Sequence, residues 1–298
     1  MMLREAARSR FDIDPRRLHG AFDREPFGFQ HGLHESELFA FDSLRELALG
    51  YAAADSFVAA GAPSPETPFY AVEHGALTPV QALDRLDYEP RRVLLKRPET
   101  YDARFRVLLD ELFARVVERR GGLGGERVVR LESAIFVSPP GTITPFHFDP
   151  EITFFFQVQG NKRYHVFLPE SLREQELERF YVKGIINIGQ VDLDARDPQS
   201  ERVFDLVPGT GMYQPQNAPH WVEATGLRSI SYTFSFETDA MRAANRTRSF
   251  NHYERRLGLQ PSRPGARPGI DAIKAGAMRF AIPARKGLAR VARLTGMR

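Results

Sequence analysis

Thr144-Pro-Phe-His147-Phe-Asp149-Pro-Glu-Ile-Thr153-Phe-Phe155-Phe-Gln157-Val-Gln-Gly160-Asn161-Lys162-Arg163 is the stretch on which the fold and the chemistry of this chain turn. From Thr153 to Gln159 it is dense in aromatic and β-branched residues, the composition of a half-buried strand. On a strand, residues two apart point to the same face, so His147 and Asp149 aim an imidazole and a carboxylate at one point. A third ligand is available downstream at His220, in Pro215-Gln-Asn-Ala-Pro-His220-Trp-Val. Two histidines and one carboxylate on one face of a metal leave three positions open, the facial arrangement of non-haem Fe(II) sites.

Lys162 sharpens this reading. Gly160-Asn161 predicts a two-residue hairpin loop, with the chain returning as Lys162-Arg-Tyr164-His-Val-Phe-Leu. With Thr153, Phe155 and Gln157 facing inward, such a hairpin turns Lys162 and Tyr164 inward as well. An unpaired ammonium inside a barrel is costly, so a buried Lys162 calls for an anion. The distal carboxylate of 2-oxoglutarate, whose other end would chelate iron, supplies one.

These motifs, Thr-Pro-x-His-x-Asp, Phe-Phe-x-Gln and Gly-x-Lys-Arg, resemble those of the JmjC-type 2-oxoglutarate oxygenases. Within that group they are most similar to the asparaginyl hydroxylase that inhibits hypoxia-inducible factor. The resemblance covers roughly residues 90–240. It implies a mostly β chain with flanking helices, its core a double-stranded β-helix, the cupin-like jelly roll. It implies metal ligation by His147, Asp149 and His220, which are also the catalytic set. It places the 2-oxoglutarate lysine on Lys162 and a co-substrate hydroxyl on Thr144. Two co-substrate asparagines of the family fall on Thr153 and near Ser235, both departures. Pro219 stands where the family often has a Trp, and Pro208-Gly-Thr-Gly where it often has Gly-Asp. Gln190-Val-Asp-Leu-Asp also resembles a family segment. Phe155 and Tyr164 read as pocket walls, with ordinary barrel core as the alternative. Fe(II), 2-oxoglutarate and O2 are the expected cofactors, with succinate and CO2 as co-products of C–H hydroxylation of a protein, peptide or small molecule. The rival class is a non-oxygenase cupin: a metal-dependent isomerase, a sugar-binding barrel or an inactive JmjC-like scaffold. Lys162 discriminates between the two, because an isomerase has no reason to place it there.

Composition narrows the options. The chain has no Cys, so neither a disulfide framework nor a thiolate metal site is open to it. Its 298 residues and 23 Phe are enough for a sizeable core. The N-terminus lacks an apolar signal core and no apolar run is long enough to span a bilayer, so a cytoplasmic protein is expected. The net charge of +3 hides an asymmetry. Residues 241–298 hold 14 Lys/Arg and 2 Asp/Glu, leaving 27 against 36 in residues 1–240. The tail is formally +12 and the body −9, a split that suggests an appendage with its own partner or one folded back on the acidic body. An acidic body argues against nucleic-acid binding by the barrel.

Three parts follow: an N-terminal α/β flanking segment over 1–125, the barrel over 126–240, and a basic helical extension over 241–298. Tyr101 to Arg120 predicts an amphipathic helix closed by Gly121-Gly-Leu-Gly-Gly, and Ser43 reads as the N-cap of a shorter one. The excursion from Ser171 to Phe204 predicts a lid over the metal mouth. For the extension, helices that form a homodimer, a surface for an acidic peptide, nucleic acid or anionic membrane, and a solvated tail all stay open. Trp221 and His165 read as facing away from the metal, and His31 and His34 as an incidental loop pair.

Overall fold

Strand-forming sequence dominates the middle of the chain, and in the computed structural model it builds one hydrogen-bonded network. The described residues are 11–73, 75–89, 91–183 and 189–294, with backbone alone described for Ala21 and 284–294. The strands are β1 (Phe27–Gln30), β2 (Ser56–Ala59), β3 (Arg92–Lys96), β4 (Val128–Ser138), β5 (Ile143–Phe148), β6 (Ile152–Phe167), β7 (Gly189–Gln190), β8 (Glu201–Leu206), β9 (Thr210–Gln214) and β10 (Pro219–Thr238). The α-helices among the described residues are α1 (Pro15–Ala21), α2 (Phe41–Leu49), α3 (Pro79–Asp84), α4 (Ala103–Arg120), α5 (Glu174–Tyr181), α6 (Asp239–Arg256) and α7 (Pro268–Leu294).

The two long strands do the folding. The first half of β6 and the second half of β10 sit at the centre of one sheet, ordered β1-β9-β6-β10-β4-β3-β2. Beyond a bend, the other halves of the same strands form a second sheet, with β8 beside β6, and β5 then β7 beside β10. This is the double-stranded β-helix, and all its pairings are antiparallel.

The expected hairpin at Gly160-Asn161 does not form. Chain passes straight through it within β6, and both halves pair with β10 rather than with each other. A type I′ hairpin needs two successive positive φ values, and only Gly160 (φ +62°) has one. A Cβ at Gly160 would collide with the carbonyl oxygen of Arg228 on β10, so glycine is what lets the two bent strands approach. Lys162 and Tyr164 still face inward, for a different reason. Gln157 pairs with Ser231 and Gln159 with Ile230, so two steps along β6 match one along β10. That bulge reverses the in–out alternation. Phe155, ahead of it, and Tyr164, beyond it, meet inside the barrel with ring centroids 5.2 Å apart.

The opposite face of the larger sheet carries the main core. Phe154, Phe156, Phe234 and Phe236 pack there with Phe105, Leu108, Leu109, Leu112 and Val116 of α4. Each such buried side chain contributes roughly 1.5–3 kcal/mol. Helix α4 starts where the Asp102 carboxylate accepts the Arg104 N–H (2.8 Å) and stops at left-handed Gly121. Helix α2 begins at Phe41, ahead of the predicted Ser43 cap, and ends at Gly50. The N-terminal segment thus adds both β1–β3 and the helical layer to the sheet.

The basic extension folds back on the acidic body. Arg248 of α6 pairs with Glu174 (3.1 Å) and Arg255 with Glu178 (2.8 Å), both on α5, and α7 packs along α6. Helix α5 in turn packs Phe180 on Phe148, the residue between His147 and Asp149 (centroids 4.8 Å). Residues 295–298 lie outside the described residues. Glu178 is 2% exposed, so removing its partner leaves a buried carboxylate stranded. Arg255→Ala is therefore expected to lower unfolding free energy by about 1–3 kcal/mol, with exposed Arg256→Ala as the control. Urea denaturation giving equal midpoints for the two variants would show that this pair adds nothing.

Candidate active site

Cross-strand pairing sets the site. His147 on β5 lies directly opposite His220 on β10, and their ring centroids are 4.0 Å apart. Asp149 follows just past the end of β5. His147 Nε2 is 3.8 Å and His220 Nε2 3.6 Å from the two Asp149 carboxylate oxygens. One ligand atom from each of the three residues lies within 4.8 Å of the others, and among the described residues this is the one cluster of its kind.

Each histidine is held in the tautomer that ligation requires. His147 Nδ1–H donates to the Pro145 carbonyl (2.7 Å) and His220 Nδ1–H to the Ala218 carbonyl (3.1 Å), so both Nε2 lone pairs face Asp149. Burial pushes both imidazoles below their ordinary range, His220 down to about 3, with His147 as its second cause. Both are neutral near pH 7, the form that binds metal. Asp149 is fixed through its backbone: its carbonyl accepts the N–H of Asn217 (2.9 Å), which turns the chain with φ +62°. The Asn217 side chain accepts from Tyr181 of α5 (2.6 Å). Tyr164 stacks on His220 (5.2 Å, 16° between planes) and donates to Gln214 Oε1 (2.5 Å). Two neutral imidazoles and a carboxylate, with no thiolate, suit Fe(II) and its borderline neighbours.

Lys162 is 5% exposed, with its ammonium 5.3 and 5.5 Å from the centroids of the Phe155 and Phe136 rings. Thr144 pairs with Val222 of β10, and Val222 pairs on its other side with Tyr164 of β6. The Thr144 hydroxyl accepts from Arg92 Nη1 (2.7 Å). Thr153 lies between Gln214 and Ser235 across three adjacent strands, placing the three in one row. Phe155 is buried with Tyr164, Val166, Met212 and Val222 in the barrel interior.

No local pattern marks Arg92, Gln214 or Phe69, because only tertiary pairing brings them here. Phe69 sets its ring edge-on to His147 (5.0 Å). Its N–H donates to the Gln190 side chain (3.0 Å), while Gln190 pairs with His147 through β7. His165 and Trp221 stack on each other (3.8 Å) on the far face of β6 and β10, as their alternation predicts. His31 is a packed loop residue bonded to the Thr210 carbonyl and the Leu33 N–H. Among the described residues no helix is long and apolar enough to cross a membrane.

Comparison with known proteins agrees with this architecture. Residues 125–244 match the family model of the JmjC domain. Among solved structures, the X-ray structure of E. coli ycfD matches with a TM-score of 0.56 at 19% identity, covering 91% of this chain and 68% of that one. The structure of YcfD, a ribosomal oxygenase from Escherichia coli, in complex with cobalt and 2-oxoglutarate matches with a TM-score of 0.54 at 20% identity, over 91% and 67% of the two chains. Its complex with cobalt and succinic acid scores 0.53 at 19% identity over the same shares. Such distant likenesses speak to the fold. No curated protein matches the sequence. The segment that matches the JmjC model, residues 125–244, builds the double-stranded β-helix that holds the His147–Asp149–His220 cluster.

Proposed function

We propose that this protein is an Fe(II)- and 2-oxoglutarate-dependent dioxygenase that hydroxylates a C–H bond, releasing succinate and CO2. The observation that carries it is a His-Asp-His cluster sharing a barrel with a buried lysine that lacks a carboxylate partner among the described residues. A structural lysine would be paired or exposed, and an isomerase or sugar-binding cupin has no use for it. Iron would supply O2 activation and the oxidising power. His147, Asp149 and His220 hold the metal on one face. Lys162 and Thr144 receive the distal carboxylate of 2-oxoglutarate, with Phe155 and Tyr164 as walls and Thr153 and Ser235 further along the interior. The barrel excludes water, which strengthens each charge contact. Succinate release from 2-oxoglutarate with Fe(II) and ascorbate tests the reading. A protein that neither releases succinate nor binds 2-oxoglutarate when metal-loaded belongs to the non-oxygenase class.

For the prime substrate we favour a protein side chain. The motif similarity to an asparaginyl hydroxylase and the fold shared with a ribosomal oxygenase both support it. Tyr70 follows Phe69, the residue that packs on His147, and is 86% exposed, an aromatic ring open to an incoming chain.

The excursion between β6 and β8 does not read as a free lid. Gly189–Gln190 is its part at the metal, while 191–197 is pinned: the Arg196 side chain is 1% exposed and bonds Glu176 (2.6 Å) and the Ser171 and Asp192 carbonyls. Residues 184–188 lie outside the described residues. Replacing 191–197 with a Gly/Ser linker is therefore expected to lower thermal stability and to reduce uncoupled decarboxylation and coupled hydroxylation together. Loss of hydroxylation alone would restore the lid.

A further inference from the structure

We propose that Arg92, on β3 and outside the matched JmjC segment, is a second co-substrate-binding residue, forming with Thr144 and Lys162 a three-donor cradle for the distal carboxylate of 2-oxoglutarate. The inference rests on the oxygenase reading and deepens it.

Arg92 is 5% exposed, yet among the described residues it forms no ion pair. One hydrogen bond is made, from Nη1 to the Thr144 hydroxyl, and the buried Nε has no partner. A guanidinium carries five donors and its charge cannot be discarded near neutral pH, so this is an incomplete environment. Lys162 is equally buried and has no counter-ion among the described residues. Burial alone pulls Arg92 down to about 10, and burial followed by the Arg92 charge pulls Lys162 down to about 7, with no carboxylate among the described residues offsetting either. Two buried like charges without an anion destabilise a fold unless a ligand completes the site.

The hydrogen bond to Thr144 also has a direction. Arg92 has no acceptor, so the Thr144 oxygen must accept from it. That fixes the hydroxyl rotor and leaves its proton free to donate onward. Arg92 thus adds charge and also turns Thr144 into a donor. A guanidinium keeps its charge at neutral pH, so Arg92 supplies the cradle with a permanent charge from outside the motif.

The test uses the full chain loaded with Mn(II), titrated calorimetrically with 2-oxoglutarate and with oxalate, which chelates metal but has no distal carboxylate. Arg92→Met is expected to weaken 2-oxoglutarate by about thirtyfold or more and leave oxalate unchanged. Without ligand it should melt no lower than the wild type, because a buried repulsion has gone. Arg92→Lys, which keeps charge but not the guanidinium geometry, should fall between. Unchanged 2-oxoglutarate affinity in Arg92→Met, or equal losses for both ligands, would overturn the assignment, as would a lower melting temperature with 2-oxoglutarate binding intact. Should Arg92→Met not fold, Arg92→Lys binding 2-oxoglutarate no more weakly than the wild type would overturn it. A wild-type protein that binds oxalate but not 2-oxoglutarate fails the oxygenase reading itself, a different result from any of these.

Discussion

His147→Ala or Asp149→Ala is expected to abolish turnover and to weaken Fe(II) binding by more than about a hundredfold, beyond the 10- to 100-fold loss typical of partners one layer out. Each removes one of the three proposed ligands, and the gap cannot be filled from nearby: among the described residues no fourth group of the metal-binding type joins the cluster. The barrel should stay folded. His147 and Asp149 lie at the end of β5, whereas the main core is formed on the other face of the larger sheet by Phe154, Phe156, Phe234 and Phe236. Iron titration followed by calorimetry, with circular dichroism as the folding control, measures both halves. Retained turnover in either variant would sink the ligand assignment.

Lys162→Ala should raise the 2-oxoglutarate requirement while iron binding persists. Losing a charge-assisted contact in a buried site costs roughly 2–5 kcal/mol, an affinity loss of about thirtyfold or more. The same residue gives the site a pH signature. Burial, and secondly Arg92, hold the amine at about 7 instead of its ordinary 10.5. A bound carboxylate favours the charged form and raises that value. Affinity for 2-oxoglutarate is therefore highest below pH 7 and falls above it, by up to about tenfold per pH unit. The stability of the ligand-free protein runs the other way. Between pH 7 and 10.5 the unfolded chain holds the proton and the folded one does not, so stability rises across that window and is lost as pH falls through 7. Lys162→Met should flatten both profiles. A wild-type affinity independent of pH from 6.5 to 9 would mean that Lys162 does not meet the carboxylate.

How much was legible beforehand follows from the range of each interaction. The His147/Asp149 spacing and the Gly121 end of α4 are local, and both appear where the sequence puts them, while the helix itself starts at Ala103, two residues after the predicted Tyr101. Gly160-Asn161 is local too and misled, because its conformation is set by a neighbour: β10 pairs with both halves of β6, and Gly160 accommodates the Arg228 carbonyl instead of closing a turn. The inward aim of Lys162 survived because a bulge shifts the alternation by the same one residue that the hairpin would have.

The charge asymmetry of the chain left open whether the C-terminal extension meets a partner of its own or folds back on the acidic body. That Arg248 and Arg255 reach Glu174 and Glu178 depended on where α5 sits. Sequence by itself put His147 and Asp149 on one strand face through their spacing of two and offered His220 as a third candidate, while the barrel class followed from the resemblance of its motifs to the JmjC oxygenases. Tertiary structure alone decided that Arg92 stands against Thr144, 52 residues away, and that Phe69 closes on His147. Neither contact repeats, neither follows a period, and each exists only once antiparallel pairing has folded distant segments onto one site.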